Sequence, residues 1–203
     1  MRTKKVILIG GAPGAGKSTL GRALAARLEI GSLTIDDLLV ATRAVTTRAS
    51  HPGLHLMNGI SYIEYFTRSE PARLIADAER QEEAIWPATE KVIRSHAAPW
   101  GTPIVIDGWT LRPRRVVELG LENVTSFWLV VEPTELERRE RANAEFVRDS
   151  PEPERMLRNF LARSLWHNDL LRRQANELGL PVLRQDGIAS VEDLCDLILG
   201  TGA

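Results

Sequence analysis

The chain has 203 residues, with 26 Lys and Arg against 27 Asp and Glu and a formal charge of -1. That length holds one α/β core with a small appendage rather than two large domains. The balanced charge excludes a global attraction to nucleic acid or to an anionic membrane surface. Cys195 is the single cysteine, which rules out an internal disulfide and a cysteine-based metal cluster; its DLCDLI setting predicts core packing. The basic start and its apolar run make a poor signal peptide, because the run is short and leads straight into a glycine-rich loop. No stretch approaches about 18 uninterrupted apolar residues. The expectation is a cytoplasmic protein without a membrane partner.

The first predicted element is a strand. Lys5 to Ile9 is apolar at four successive positions without alternation, as in a strand buried on both faces of a parallel sheet. It runs into GAPGAGKST, in which Gly11 to Ser18 complete the G-x-x-x-x-G-K-[ST] pattern in the strand, loop and helix context it requires. Gly11, Gly14 and Gly16 let the backbone bend and approach a phosphate chain. Ala12, Pro13 and Ala15 complete a loop whose NH groups point at the anion, with the dipole of the next helix behind them. Lys17 supplies a cation to the outer phosphates and Ser18 a hydroxyl to Mg²⁺, with Thr19 beside it.

Leu20, Ala23, Leu24 and Leu28 give the following helix one apolar face, and Gly31 is its predicted end. Leu33 to Ile35 reads as a second strand delivering Asp36 and Asp37 to its C-terminal edge, where open parallel sheets bind ligands. Asp36, directly off the strand, is the choice for orienting or deprotonating a substrate hydroxyl. The competing role for either acid is a helix cap, more so for Asp37. Residues 41 to 69 carry Arg43, Arg48, His51, His55, Tyr62, Tyr65 and Arg68 around Pro52 and Gly53, a composition suited to acceptor binding. A helical pattern from 71 to 98 follows, which Pro87 is expected to kink or divide, with Glu79, Glu82 and Glu83 on a solvated face. Residues 41–98 thus read as an acceptor-binding insertion.

Pro103 to Asp107 is the third strand and ends on an acid placed to bind Mg²⁺ through water near Ser18. Arg112, Arg114 and Arg115 come next; Arg112 is carried forward as an acceptor-anion ligand, while Arg115 suits a solvent-facing ion pair. Ser126 to Val131 is the fourth strand, and Thr134 with Glu137 has the spacing of a capping box. The helix beyond bears Arg138 and Arg141, three apart on one face, which are the preferred pair to stabilise a phosphoryl group from a closing lid at 138–163. Arg158 and Arg163 are further cationic candidates in the segment after it. Pro181 to Leu183 is the fifth strand, the loop 185–190 is placed beside a nucleotide base, and Ser190 with Asp193 caps the last helix. Five strands with intervening helices predict one three-layer αβα domain over residues 1–203.

These segments, in this order, resemble the P-loop small-molecule kinases of the nucleoside-monophosphate-kinase-like group. The likeness covers most of the chain, with GAPGAGKST as its specific part. It implies the P-loop NTPase fold, a parallel sheet in the order 2-3-1-4-5, ATP as donor, Mg²⁺ as cofactor and a helical lid. TIDDLL is similar to the segment T-G-D-L-L-R, with Asp36 at the glycine, Asp37 at the acid and Val40 at the arginine. IDGWTLR is similar to D-G-[FY]-P-R, with the arginine displaced to Arg112. These departures point away from a nucleoside monophosphate and toward the branch resembling phosphoglycerate, gluconate, shikimate and antibiotic kinases.

The implied reaction is phosphoryl transfer from ATP, held by Gly11 to Thr19, to a small-molecule hydroxyl oriented by Asp36. Lys17, Arg138 and Arg141 stabilise the group in flight, and Asp37, Arg43 and Arg112 meet the acceptor. The alternatives are a nucleotide or polynucleotide kinase and a nucleotide-dependent regulatory ATP-binding protein. The sequence leaves acceptor identity and oligomeric state open.

Overall fold

The computed structural model describes residues 4–57 and 59–201; residues 1–3, part of the basic start discussed above, lie outside them. Five parallel strands form the sheet: β1 (Val6–Gly11), β2 (Gly31–Thr34), β3 (Ile104–Gly108), β4 (Val124–Val131) and β5 (Val182–Gln185). Their order is β2-β3-β1-β4-β5, as the resemblance implies. Between them run α1 (Lys17–Leu28), α2 (Ile35–Val45), α3 (Tyr62–Arg68), α4 (Pro71–Ala97), α5 (Pro113–Glu118), α6 (Pro133–Ala142) and α7 (Pro153–Glu177), and α8 (Val191–Gly200) closes the order.

The side-chain alternation of β1 divides the core. Val6 and Leu8 pack with Ile35, Leu39, Ile85, Ile93, Val116 and Leu171, from α2, α4, α5 and α7. Ile7 and Ile9 pack on the opposite face with Leu20, Leu24, Leu194 and Ile198, from α1 and α8. Burial of each such side chain stabilises by about 1.5–3 kcal/mol, so a strand buried at every position anchors both layers. A third cluster joins Tyr65 and Phe66 of α3 to Val147, Met156, Leu157, Phe160 and Leu161, tying the insertion to the start of α7. Val147 to Leu161, within the 138–163 span expected to form a lid, thus contribute side chains packed on α3 and the start of α4.

Several local readings change. Glu29, at φ 55°, takes the left-handed cap of α1, so Gly31 begins β2 instead of ending the helix. Ile35 opens α2 and places Asp36 and Asp37 in its first turn, where carboxylates meet the positive end of the dipole. α4 continues through Pro87 as one helix. Glu82 is buried against Arg112 rather than solvated. α6 starts at Pro133 with no side-chain cap, so the Thr134 and Glu137 spacing forms no box, whereas the Ser190–Asp193 box is present. Cys195 is buried in the core. Among the described residues, no helix is long and apolar enough to cross a membrane.

Candidate active site

α1 leaves the end of β1 toward one face of the sheet and α5 leaves the end of β3 toward the other. Diverging connections at adjacent strand ends open a crevice at the C-terminal edge, and the chemical groups gather there. Gly14 at φ 76° and Gly16 at φ 91° adopt left-handed backbone that a side chain would strain. Gly16 is also the N-cap of α1, so the first NH groups of that helix are directed out of the loop at the dipole's positive end.

Lys17 is buried, and its Nζ donates to the Ala12 carbonyl at 3.3 Å. Burial pulls the ammonium pKa down, opposed by the negative charges of Asp36, Asp107 and Glu140. Ser18 Oγ donates to Asp107 Oδ1 at 2.6 Å, and Thr34 Oγ1 donates to the same oxygen at 3.4 Å. Burial raises the Asp107 pKa, while the Ser18 hydrogen bond and Lys17 pull it back. The hydroxyl at the loop end and the acid at the tip of β3 thus meet, although they lie far apart in sequence. Both are hard oxygen donors, the ligand chemistry suited to Mg²⁺.

The arginines of α6 divide by face. Arg138 Nε donates to Glu135 at 2.7 Å, and Arg141 donates to Glu137 at 3.0 Å and to Glu154 at 3.3 Å; both side chains are exposed. Neither contacts the phosphate loop. Arg139 does: its guanidinium donates to Ala15 O at 3.3 Å, to Gln185 Oε1 at 2.8 Å and to Glu135 Oε1 at 2.6 Å. Hydrogen bonds from Arg138 and Arg139 pull the Glu135 carboxyl down to about 2, so the anchor holding Arg139 is charged at any ordinary pH. Arg139 is one of three arginines in α6, and nothing in that charged run marks it out from Arg138 or Arg141.

Beside the loop, a cavity of about 380 Å³ is lined by Asp36, Arg43, Tyr62, Phe66, Trp109 and Arg163, among others. Asp36 stands in its wall within the field of Lys17, whereas Asp37 does not line it. Arg43 fixes its orientation by donating from Nε to Leu54 O at 2.7 Å. Burial lowers its pKa, and Asp36 opposes that shift. Arg112 lies elsewhere, paired with buried Glu82 and 5.3 Å from the centre of the Trp166 ring. Its alignment with an acceptor-anion site fails because α4 supplies the partner that holds it.

Arg163, on the first half of α7, takes the cavity position. Its guanidinium lies 4.8 Å from the Phe66 ring centre, 5.0 Å from Phe160 and 5.8 Å from Trp109. Among the described residues it has no hydrogen-bond or ion-pair partner. Cation-π contacts contribute about 0.5–2 kcal/mol each, enough to hold the group but not to replace an anion. Burial lowers its pKa, opposed by Tyr62, Tyr65, Glu140 and Asp36.

No family model matches the chain. Over 194 residues it is 31% identical to a 2-phosphoglycerate kinase of Methanocaldococcus jannaschii, an alignment covering 94% of this chain and 61% of that protein. The chain thus spans 61% of the length of that curated relative. A shikimate kinase from Bacteroides thetaiotaomicron superposes with a TM-score of 0.54 at 20% identity, covering 97% of each chain. A gluconokinase from Sinorhizobium meliloti superposes with a TM-score of 0.55 at 15% identity, covering 98% of this chain and 92% of that one. By sequence and by structure the chain is similar to P-loop small-molecule kinases, and the fold it adopts is the P-loop kinase fold.

Proposed function

We propose that this protein transfers the γ-phosphoryl group of ATP to a hydroxyl of a small molecule bound in the cavity beside the phosphate loop. The observation that carries this reading is the position of Asp36, in the cavity wall and within the field of Lys17. The names of the 2-phosphoglycerate, shikimate and gluconate kinases it resembles support a small hydroxyl-bearing acceptor.

Gly11 to Thr19 hold the nucleotide phosphates, and Lys17, already stripped of water, pairs with their outer oxygens. Ser18 and Asp107 are the oxygen donors that would hold Mg²⁺, directly and through water. When bound, the ion neutralises phosphate charge. Asp36 orients the acceptor hydroxyl in line with the γ-phosphorus. The acceptor oxygen forms a bond to that phosphorus, the bond to the β–γ bridging oxygen breaks, ADP leaves, and the hydroxyl proton passes to an Asp36 carboxylate oxygen. Arg163 and Arg43 face the cavity as partners for an anionic group on the acceptor. Arg139, bridging the loop and Gln185, orders the nucleotide side.

The test is incubation with ATP, Mg²⁺ and a panel of hydroxy acids, sugars, nucleosides, antibiotics and oligonucleotides, with products identified by mass. A phosphorylated small molecule supports the proposal. Phosphorylated oligonucleotides alone, or ATP hydrolysis with no acceptor product, contradict it.

A further inference from the structure

Glu140 is buried on α6 at 6% exposure and, among the described residues, has no hydrogen-bond or ion-pair partner. Its carboxylate lies against the phosphate loop: a Cβ built on Gly14 would lie 3.0 Å from Glu140 Cδ and overlap the adjacent carboxylate oxygen. The cations within its field are Lys17 and Arg163, one in the phosphate loop and one in the cavity wall. A carboxylate without a close partner is costly to bury. Here, beyond its slight remaining exposure to water, its compensation comes from charges that the proposed reaction assigns to phosphates and acceptor.

We propose that Glu140 is a built-in competitor for the phosphate site, its carboxylate standing at the loop and swinging aside by side-chain rotation when nucleotide phosphates enter, while Arg139 keeps its hold on Ala15 and Gln185. This rests on the reading of Gly11 to Thr19 as a phosphate site, and not on the identity of the acceptor. Two anions cannot share Lys17 without mutual repulsion in a partly dehydrated space, so phosphate binding and Glu140 occupancy oppose each other. The opposition is reciprocal: Glu140 at the loop weakens phosphate binding by the same factor by which bound phosphate disfavours Glu140 there. Arg139, one residue earlier on the same helix, touches Ala15 and Gln185. One helical segment therefore presents both an anion that must leave the loop and a cation that steadies it.

The experiment is calorimetric titration of the full chain with ADP, and separately with pyrophosphate, in the parent protein and in Glu140→Gln, Glu140→Ala and Glu137→Gln. Glu137 is exposed on the same helix and pairs with Arg141, so its variant makes the same change in net charge away from the loop. Circular dichroism establishes that each variant is folded, and Glu140→Ala serves if the amide disturbs packing. The expected result is binding about tenfold tighter in both Glu140 variants, within the range of coupling between adjacent sites, with Glu137→Gln close to the parent. Equal or weaker binding in both Glu140 variants overturns the proposal, as does the same gain in Glu137→Gln. No ADP binding in any chain overturns it together with the phosphate-site reading. Tighter binding in a protein that phosphorylates no acceptor supports Glu140 as the competitor and counts against the kinase alone.

Discussion

Ser18 and Asp107 meet at 2.6 Å across the ends of α1 and β3, joining the last turn of the phosphate loop to the neighbouring strand tip. The register of β1 on β3 produces this contact: Ile9 pairs with Asp107 and Gly10 with Gly108, so the acid emerges level with the start of the loop. Asp107→Asn keeps the shape and a hydrogen-bonding oxygen but removes the charge. The variant should fold, bind ADP without Mg²⁺ about as well as the parent, and lose about 10²–10³ in kcat with Mg²⁺ present. Steady-state kinetics over a Mg²⁺ titration check this, and an unchanged Mg²⁺ dependence contradicts the assignment.

Lys17→Ala removes the buried cation of the loop. Burial already lowers the pKa of that ammonium, so its loss leaves the fold without a desolvation cost and the phosphates without their nearest charge. Thermal melting should be unchanged or slightly higher, while transfer falls by about 10³ or more. Full transfer in a folded Lys17→Ala protein would remove the loop from the mechanism.

On α6, Arg139→Ala should raise KM for ATP about tenfold, because a charge-assisted hydrogen bond contributes about 1.5–3 kcal/mol and this guanidinium holds both Ala15 and Gln185. Arg138→Ala and Arg141→Ala, whose guanidiniums are exposed and pair with Glu135 and Glu137 rather than with the loop, should change KM by no more than about twofold, since ion pairs made by solvent-exposed side chains contribute little. The opposite ranking would show that α6 turns its other face to the nucleotide during turnover.

Glu140 also carries a pH signature. Burial raises its pKa above the ordinary carboxyl value of 4.5, so the folded protein binds its proton more readily than the unfolded chain. Its contribution to stability is fully present below the unfolded value and is lost as pH rises through the folded one. Glu140→Gln should therefore be more stable than the parent at neutral pH, with the difference shrinking as pH falls toward 4.5. Urea melts at both ends of that window read it. A difference independent of pH would assign the effect to packing instead of charge.

The phosphate loop was legible because its chemistry is local: consecutive residues supply the glycines, the lysine and the hydroxyl. Asp107 was legible because an acid ending an apolar strand falls at the binding edge of any parallel sheet. Asp36 reaches the cavity wall by a route the sequence does not show, since it lies in the first turn of α2 rather than at the end of β2. Which arginine of α6 faces the loop depends on how that helix rolls onto Leu136 and the core, and a charged run carries no trace of that rotation. Arg112 and Glu82 find each other across α4 and the end of β3, so a solvent reading of one and a ligand reading of the other failed together. Glu140 belongs to the same charged run, and only the tertiary fold sets it apart by burying it against Gly14.

Whether Asp36 directs an acceptor hydroxyl onto ATP is tested most directly by comparing the parent with Asp36→Asn in the acceptor panel, scoring product by mass and ATP binding by calorimetry. The expected result is a phosphorylated small molecule with the parent, a loss of about 10²–10⁴ in its rate of formation with Asp36→Asn, and ATP affinity little changed. Equal turnover in the two proteins, or a loss of ATP binding matching the loss of rate, would contradict it.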